Sequence, residues 1–157
     1  LLGSQMMKGI SKNLMTKYNN KIGMAKSENI GVISYSPLGG GLLTGKYSVD
    51  NSTTKNSSGR LHDNAKYKIR YGQNWMYDAA ISLQDLAKEL NYNPISLAVA
   101  WVNYHEAITA PIISARNLKQ LIPSLESENI SLDDETYKQI SNISPTPPPA
   151  TDRLEEA

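Results

Sequence analysis

Gly31-Val32-Ile33-Ser34-Tyr35-Ser36-Pro37-Leu38-Gly39-Gly40-Gly41-Leu42-Leu43-Thr44-Gly45-Lys46 is the stretch on which the fold turns. Residues 31–35 are short, partly β-branched and mostly apolar, which reads as a buried strand. Pro37 cannot donate to a sheet ladder and ends it. Glycines then crowd into residues 39–46, a turn whose backbone is free to take conformations closed to other residues. Ala110-Pro111-Ile112-Ile113 reads as a second short buried strand, and Ser114-Ala115-Arg116-Asn117 turns into a helix bearing Leu118, Leu121 and Leu125.

Helices fill the intervals. Leu14, Met15, Tyr18, Ile22 and Ala25 recur at helical spacing, which places a helix over residues 12–28. Residues 48–64 are polar and read as a long exposed loop. Met76, Ala79, Ala80, Leu83, Leu86, Ala87 and Leu90 form one helical stripe, which Asn91-Tyr92-Asn93 interrupts. Asn93 then reads as an N-cap and Pro94 as the first residue of a helix to about Tyr104, apolar all round and therefore buried. Ser131-Leu132-Asp133-Asp134 signals a last helix carrying Tyr137, Ile140 and Ile143. The tail, residues 145–157, holds four of the eight prolines and reads as irregular.

Strands alternating with helices imply an α/β fold with parallel strands and crossover connections. Two or three strands cannot close a barrel or bury both faces of a parallel sheet. The partners are expected from upstream sequence or another chain, and the start at Leu1 reads as a cut within a longer protein.

Composition removes several classes of function. Sixteen basic and 15 acidic residues give a formal charge of +1, so no general attraction to nucleic acid or anionic membrane is expected. The absence of Cys excludes a disulfide scaffold and a cysteine-ligated zinc site. No apolar run is long enough to span a bilayer. A cytoplasmic protein is the expectation.

The glycine turn has three readings. Gly40-Gly41-Leu42-Leu43-Thr44-Gly45-Lys46 matches most of a phosphate loop, but Tyr47 stands where a magnesium-binding Ser or Thr belongs, and a polar stretch follows in place of a helix. It could be a plain turn with a solvent-facing Lys46. The third reading fits best. The turn follows the C-terminal end of a parallel strand, where α/β folds place ligands, and Lys46 and Arg60 add positive charge. Residues 114–117 suggest a second anion site, because free amides and the helix dipole favour phosphate there and Arg116 can fork onto it. Alternatively, Asn117 merely caps the helix and Arg116 is solvated. Two anion sites at adjacent strand ends suggest a ligand with separated phosphates, such as NADP.

Residues 31–47 closely resemble the seventh-strand signature of the aldo/keto reductases. Pro111-Ile112-Ile113-Ser114-Ala115-Arg116-Asn117-Leu118-Lys119-Gln120-Leu121 resembles their eighth-strand signature, and Leu132-Asp133-Asp134-Glu135 their C-terminal region. The subgroup resembled includes bacterial reductases and potassium-channel β subunits. The resemblance implies a partial (β/α)8 TIM barrel over residues 1–144, made of the last three strand–helix units and a C-terminal helix. The implied activity is NAD(P)H-dependent reduction of aldehydes or ketones, on a small-molecule carbonyl substrate. NADP is the implied cofactor, with NAD possible, and the N-terminal half of the barrel is the implied missing partner. The alternative that the resemblance leaves open is a non-catalytic, cofactor-sensing regulatory subunit.

It also implies roles for individual residues. Gln5 falls where the family binds the nicotinamide carboxamide, and Tyr35 where an aromatic ring stacks on the nicotinamide. Ser36, Pro37, Leu38 and Gly40 fall in the backbone loop around the pyrophosphate, with Lys46 and Arg60 near it. Ser114, Arg116, Gln120 and Ser124 fall around the adenosine 2′-phosphate and adenine. Pro123 and Ser124 stand where many members carry an acidic residue and an Asn, and Pro123 inside a helix costs about 3 kcal/mol and bends the turn. The family's catalytic Asp, Tyr, Lys and His belong to the first half of its barrel, so no catalytic residue is assigned, and Tyr18, Tyr47, His62 and His105 are not drafted as substitutes. No metal ligand is assigned.

Overall fold

The computed structural model describes residues 29–47, 59–106 and 108–145. The helix expected over 12–28 and the tail beyond Pro145 lie outside the described residues. Strand β1 (Ile33–Tyr35) and strand β2 (Ala110–Ile112) pair in parallel, with Ile33 opposite Ala110 and Tyr35 opposite Ile112. The parallel order expected from the strand–helix alternation is observed. Beyond the ladder, the Thr109 amide donates to the Val32 carbonyl (2.8 Å) and the Val32 amide to the Thr109 hydroxyl (2.9 Å).

The sheet has two unlike faces. Ser34 is buried, whereas Ile33, Tyr35 and Ile112 share the opposite, open face. Side chains alternate along a strand, so one face is apolar yet uncovered among the described residues.

After β1 the chain makes a 3-10 stretch (Gly39–Thr44). A short helix α1 (Arg60–Asp63) and helix α2 (Ala65–Tyr71) follow. The polar stretch 48–64 reads as a loop in the sequence. The last part of that loop is instead helical, and Leu61 is buried. Local bonds explain the difference. The Gly59 amide donates to the Asp63 carboxylate (3.0 Å), the Leu61 amide to the Tyr47 hydroxyl (3.4 Å), and the Lys66 amide to the Asn64 side chain (3.0 Å).

Helix α3 (Asn74–Glu89) buries Met76, Ala79, Ala80, Leu83 and Ala87 of the stripe read from its periodicity, while Leu86 and Leu90 are half-buried. It ends as a Schellman motif. Asn91 turns left-handed (φ 56°), Tyr92 donates to the Ala87 carbonyl (2.8 Å) and Asn91 to that of Lys88 (3.1 Å). Helix α4 (Pro94–Tyr104) starts at the Asn93 cap, whose side chain accepts from the Ile95 amide at 2.9 Å. Every residue from Ser96 to Val102 is buried, because α4 is the centre of the packing. It lies against α3, β2, the 3-10 stretch, helix α5 (Leu118–Leu125) and helix α6 (Asp134–Asn142).

Helix α5 carries through Pro123, six residues in. Its lost hydrogen bond frees the carbonyl of Lys119, an exposed residue that water can serve. The Pro123 carbonyl accepts the buried Ser96 hydroxyl at 2.6 Å, and a 3-10 turn (Glu126–Asn129) follows. Helix α6 is capped by Asp133, which accepts from the Thr136 amide at 2.7 Å. Trp101 ties α4 to α6: its indole N–H donates to the Tyr137 carbonyl (3.2 Å) and the Ser141 hydroxyl (3.0 Å), and its ring stacks on Tyr137 at 5.6 Å.

Candidate functional site

The parallel register brings the two strand ends level. Tyr35 and Ile112 are direct partners, so the chain leaves β1 into the glycine turn and β2 into residues 113–117 on the same edge of the sheet. The helices pack over the Ser34 face, and Tyr35, 43 % exposed, stands on the open one.

The turn itself is left-handed over a long stretch. Ser36 has φ 58°, Gly39 58°, Gly40 67°, Gly41 98° and Gly45 78°. An L side chain at such angles costs about 1–2 kcal/mol, and Ser36 carries that strain at the strand end. Several amides are used internally: Gly39 donates to the Ser36 carbonyl (3.1 Å), Gly41 to that of Leu38 (3.0 Å) and Gly45 to that of Leu42 (3.4 Å). The Thr44 hydroxyl closes onto the Gly41 carbonyl at 2.7 Å. Glycine here therefore serves the turn's shape at least as much as an anion.

Side chains press on the turn from several directions. A Cβ at Gly41 would stand 3.3 Å from Lys46 Nζ, so the lysine folds back over the turn, its ammonium 4.8 Å from the centre of the Tyr47 ring. A Cβ at Gly45 would stand 2.7 Å from the Gln84 amide carbon. Pro37 is buried, while Ser36, Leu38 and Gly40 are half-buried. A small, mostly apolar hollow, open to solvent, is lined by Gly39, Leu42, Leu43, Trp75, Met76, Ala79 and Ser144. Trp75 brings an indole N–H that donates to the Gln73 side chain, and Ser144 a hydroxyl that is buried without a hydrogen-bond partner among the described residues.

At the other strand end, Ser114, Arg116, Asn117 and Gln120 are all exposed. Asn117 caps α5 by accepting from the Gln120 amide at 3.1 Å. The Gln120 side chain reaches back to accept the Arg116 amide at 3.2 Å, a reciprocal cap. First-turn amides of Leu118 and Lys119 have no intrahelical acceptor, and the dipole makes this end positive. Ser124 is buried on the side facing α4, its carbonyl accepting the Ser127 hydroxyl at 2.7 Å. Arg60 opens α1 beside the turn. Gln5 lies outside the described residues.

Sequence reading missed Tyr67 and Tyr71. A Cβ at Gly40 would stand 2.8 Å and 2.9 Å from two ring atoms of Tyr67 and 3.2 Å from one of Tyr71. Their i, i+4 spacing, starting three residues after a capping Asn64, was the available signal.

Among the described residues no three His, Cys, Asp or Glu side chains come together as a metal site, and no helix is long and apolar enough to cross a membrane.

Comparison with known proteins matches residues 7–145 to the model of the Aldo/keto reductase family. The chain is 33 % identical over 123 residues to the Uncharacterized oxidoreductase YrpG of Bacillus subtilis (strain 168), covering 78 % of this chain and 35 % of that protein. It is 25 % identical over 138 residues to an L-glyceraldehyde 3-phosphate reductase of Escherichia coli O157:H7, covering 83 % and 39 %. It is 30 % identical over 105 residues to the Aflatoxin B1 aldehyde reductase member 2 of Rattus norvegicus, covering 59 % and 28 %. The chain thus spans roughly a third of the length of the curated relatives it matches.

Proposed function

The chain belongs to the aldo/keto reductase family, and from that premise we propose that it forms the pyrophosphate and adenosine side of an NADPH site in an oxidoreductase that reduces aldehydes or ketones. The observation that carries this reading is the level pair of strand ends. One opens into a left-handed glycine turn overlaid by Lys46, the other into a capped helix N-terminus beside the exposed Arg116. The donor set fits the ligand: a backbone turn with an ammonium at one end, first-turn amides and a guanidinium at the other. NADP is favoured over NAD because Arg116 would be left without a partner by a cofactor lacking the 2′-phosphate.

NADPH, when bound, supplies hydride for a carbonyl carbon. The residues of this chain hold and orient it. Tyr35 lies against the nicotinamide ring in this reading, which its exposure at the end of β1 supports. Ser36, Pro37, Leu38, Gly40 and Lys46 flank the pyrophosphate, with Arg60 beside them. Ser114, Arg116 and Gln120 face the adenosine phosphate. Ser124, turned toward α4, contributes through the shape of α5. Gln5 is proposed at the nicotinamide carboxamide. The open apolar face of β1 and β2 supports their being neighbouring strands of a larger, closed sheet, the seventh and eighth of a TIM barrel. The names of the E. coli and rat relatives both denote aldehyde reduction, which supports a carbonyl substrate of that class.

The test is consumption of NADPH by the protein expressed from its full reading frame, followed by absorbance on adding a panel of aldehydes. Aldehyde-dependent oxidation of NADPH is expected. Binding of NADPH with no turnover on any aldehyde would replace the enzyme reading with the cofactor-sensing one. Failure to bind NADPH would refute both.

A further inference from the structure

Three consecutive left-handed glycines present a problem that the turn must solve. Glycine has more backbone freedom to lose than any other residue, so an unsupported run at 39–41 would have to be ordered each time a ligand arrived. The structure supports the run from outside. Tyr71 is fully buried and Tyr67 half-buried, their ring centres 5.9 Å apart. The Tyr67 ring edge occupies the space a side chain at Gly40 would fill, with Tyr71 behind it. The same short helical segment also secures the exit of the turn. Tyr47 is buried, its hydroxyl accepts the Leu61 amide at 3.4 Å, and Gly59 packs against that hydroxyl. Residues 59–71 thus hold the turn at its middle and at its end.

We infer that Tyr67 is a positioning residue for the dinucleotide site, its ring pressed on Gly40 so that the glycine turn keeps its binding shape before the ligand arrives. The inference rests on the NADPH reading above. Pre-ordering of this kind strengthens binding by lowering the ordering cost, without a contact to the ligand. The ring atoms Cδ1 and Cε1 meet Gly40, so a phenylalanine retains the support.

The experiment compares Tyr67→Phe and Tyr67→Ala in the full-length protein, with three readouts. These are NADPH affinity by fluorescence, KM for NADPH against KM for an aldehyde, and amide hydrogen exchange at residues 39–43 without cofactor. Tyr67→Ala is expected to raise Kd and KM for NADPH about tenfold, to leave the aldehyde KM within about twofold, and to speed exchange across the turn. Tyr67→Phe is expected to stay within about twofold throughout. Unchanged NADPH affinity in Tyr67→Ala, or an aldehyde KM that rises in step, overturns the inference. Should Tyr67→Ala not fold, Tyr67→Leu, which fills the space without a ring edge, is expected to weaken NADPH, and affinity at the unaltered level overturns the inference. If the unaltered protein binds no NADPH, the functional reading falls and this one with it. If it binds NADPH and the variants bind equally well, only the role of Tyr67 falls.

Discussion

Replacing Gly40 by alanine sets a methyl group against two obstacles at once. The backbone there has φ 67°, which costs an L residue about 1–2 kcal/mol. The new Cβ would also stand 2.8 Å from one Tyr67 ring atom, 2.9 Å from another, and 3.2 Å from Tyr71. Tyr71 is fully buried and cannot yield, whereas Tyr67 is half-buried and can swing outward. Crowding of this kind costs about 1–3 kcal/mol. The sum is about 2–5 kcal/mol, and relaxation of Tyr67 favours the lower half of the range. For a chain of this size each kcal/mol moves the melting midpoint by about 2–4 °C, so a fall of roughly 5–15 °C is expected. Thermal melts followed by circular dichroism read it directly. Gly31→Ala is the internal control: position 31 has no left-handed φ, and its Cβ would meet a single hydroxyl, that of Thr109, at 3.3 Å. Its cost is expected to stay below about 1 kcal/mol. A Gly40→Ala protein melting within about 2 °C of the unaltered one, or a Gly31→Ala protein falling just as far, would refute the reasoning.

Two further predictions concern the rest of the fold. The Ser34 hydroxyl is buried without a hydrogen-bond partner among the described residues, so Ser34→Ala is expected to leave stability unchanged or raise it by about 1 kcal/mol, checked by urea denaturation; a clear loss would mean the hydroxyl has a partner in solution. Burial pushes the Tyr137 phenol up to about 12, against an ordinary value of 10.0. The folded chain thus keeps a proton that the unfolded chain releases, so this contribution to stability is full below pH 10.0 and is lost as pH rises toward about 12. Ultraviolet titration should show a late-ionising tyrosine that Tyr137→Phe removes, and a Tyr137→Phe protein with an unchanged titration curve would contradict it.

Much of this architecture is legible in the residues, and the reasons differ by element. Strands β1 and β2 and their parallel pairing follow from short apolar runs separated by helices. The stripe of α3 and the all-round apolar character of α4 declare one helix amphipathic and the other central. Asn93 caps where its spacing to the helix says it should, and the capping signal at residues 131–134 is realised by Asp133. Helices α1 and α2 are different. They are short and polar, and they form because Leu61, Tyr67 and Tyr71 pack against the glycine turn and its exit, earlier in the chain, a tertiary contact that periodicity cannot register. Helix α5 shows the converse. Leu118 and Leu125 form part of an apolar stripe, yet Leu118 is 72 % exposed and Leu125 is exposed too, because a stripe records that a face is apolar and not what lies against it. In the site, the glycine turn and Arg116 could be read from sequence. The spacing of Tyr67 and Tyr71 marks a helix face but not its contact with Gly40, since that contact runs from a ring to the α-carbon of a residue with no side chain.

The measurement that bears most directly on the central claim is a calorimetric titration of NADPH and of NADH into the full-length protein and its Arg116→Ala variant. The account predicts that NADPH binds more tightly than NADH, and that Arg116→Ala weakens NADPH by about tenfold or more while leaving NADH nearly unchanged, as the loss of one charge-assisted phosphate contact requires. Equal binding of the two cofactors with no effect of Arg116→Ala, or no binding of either, would contradict it.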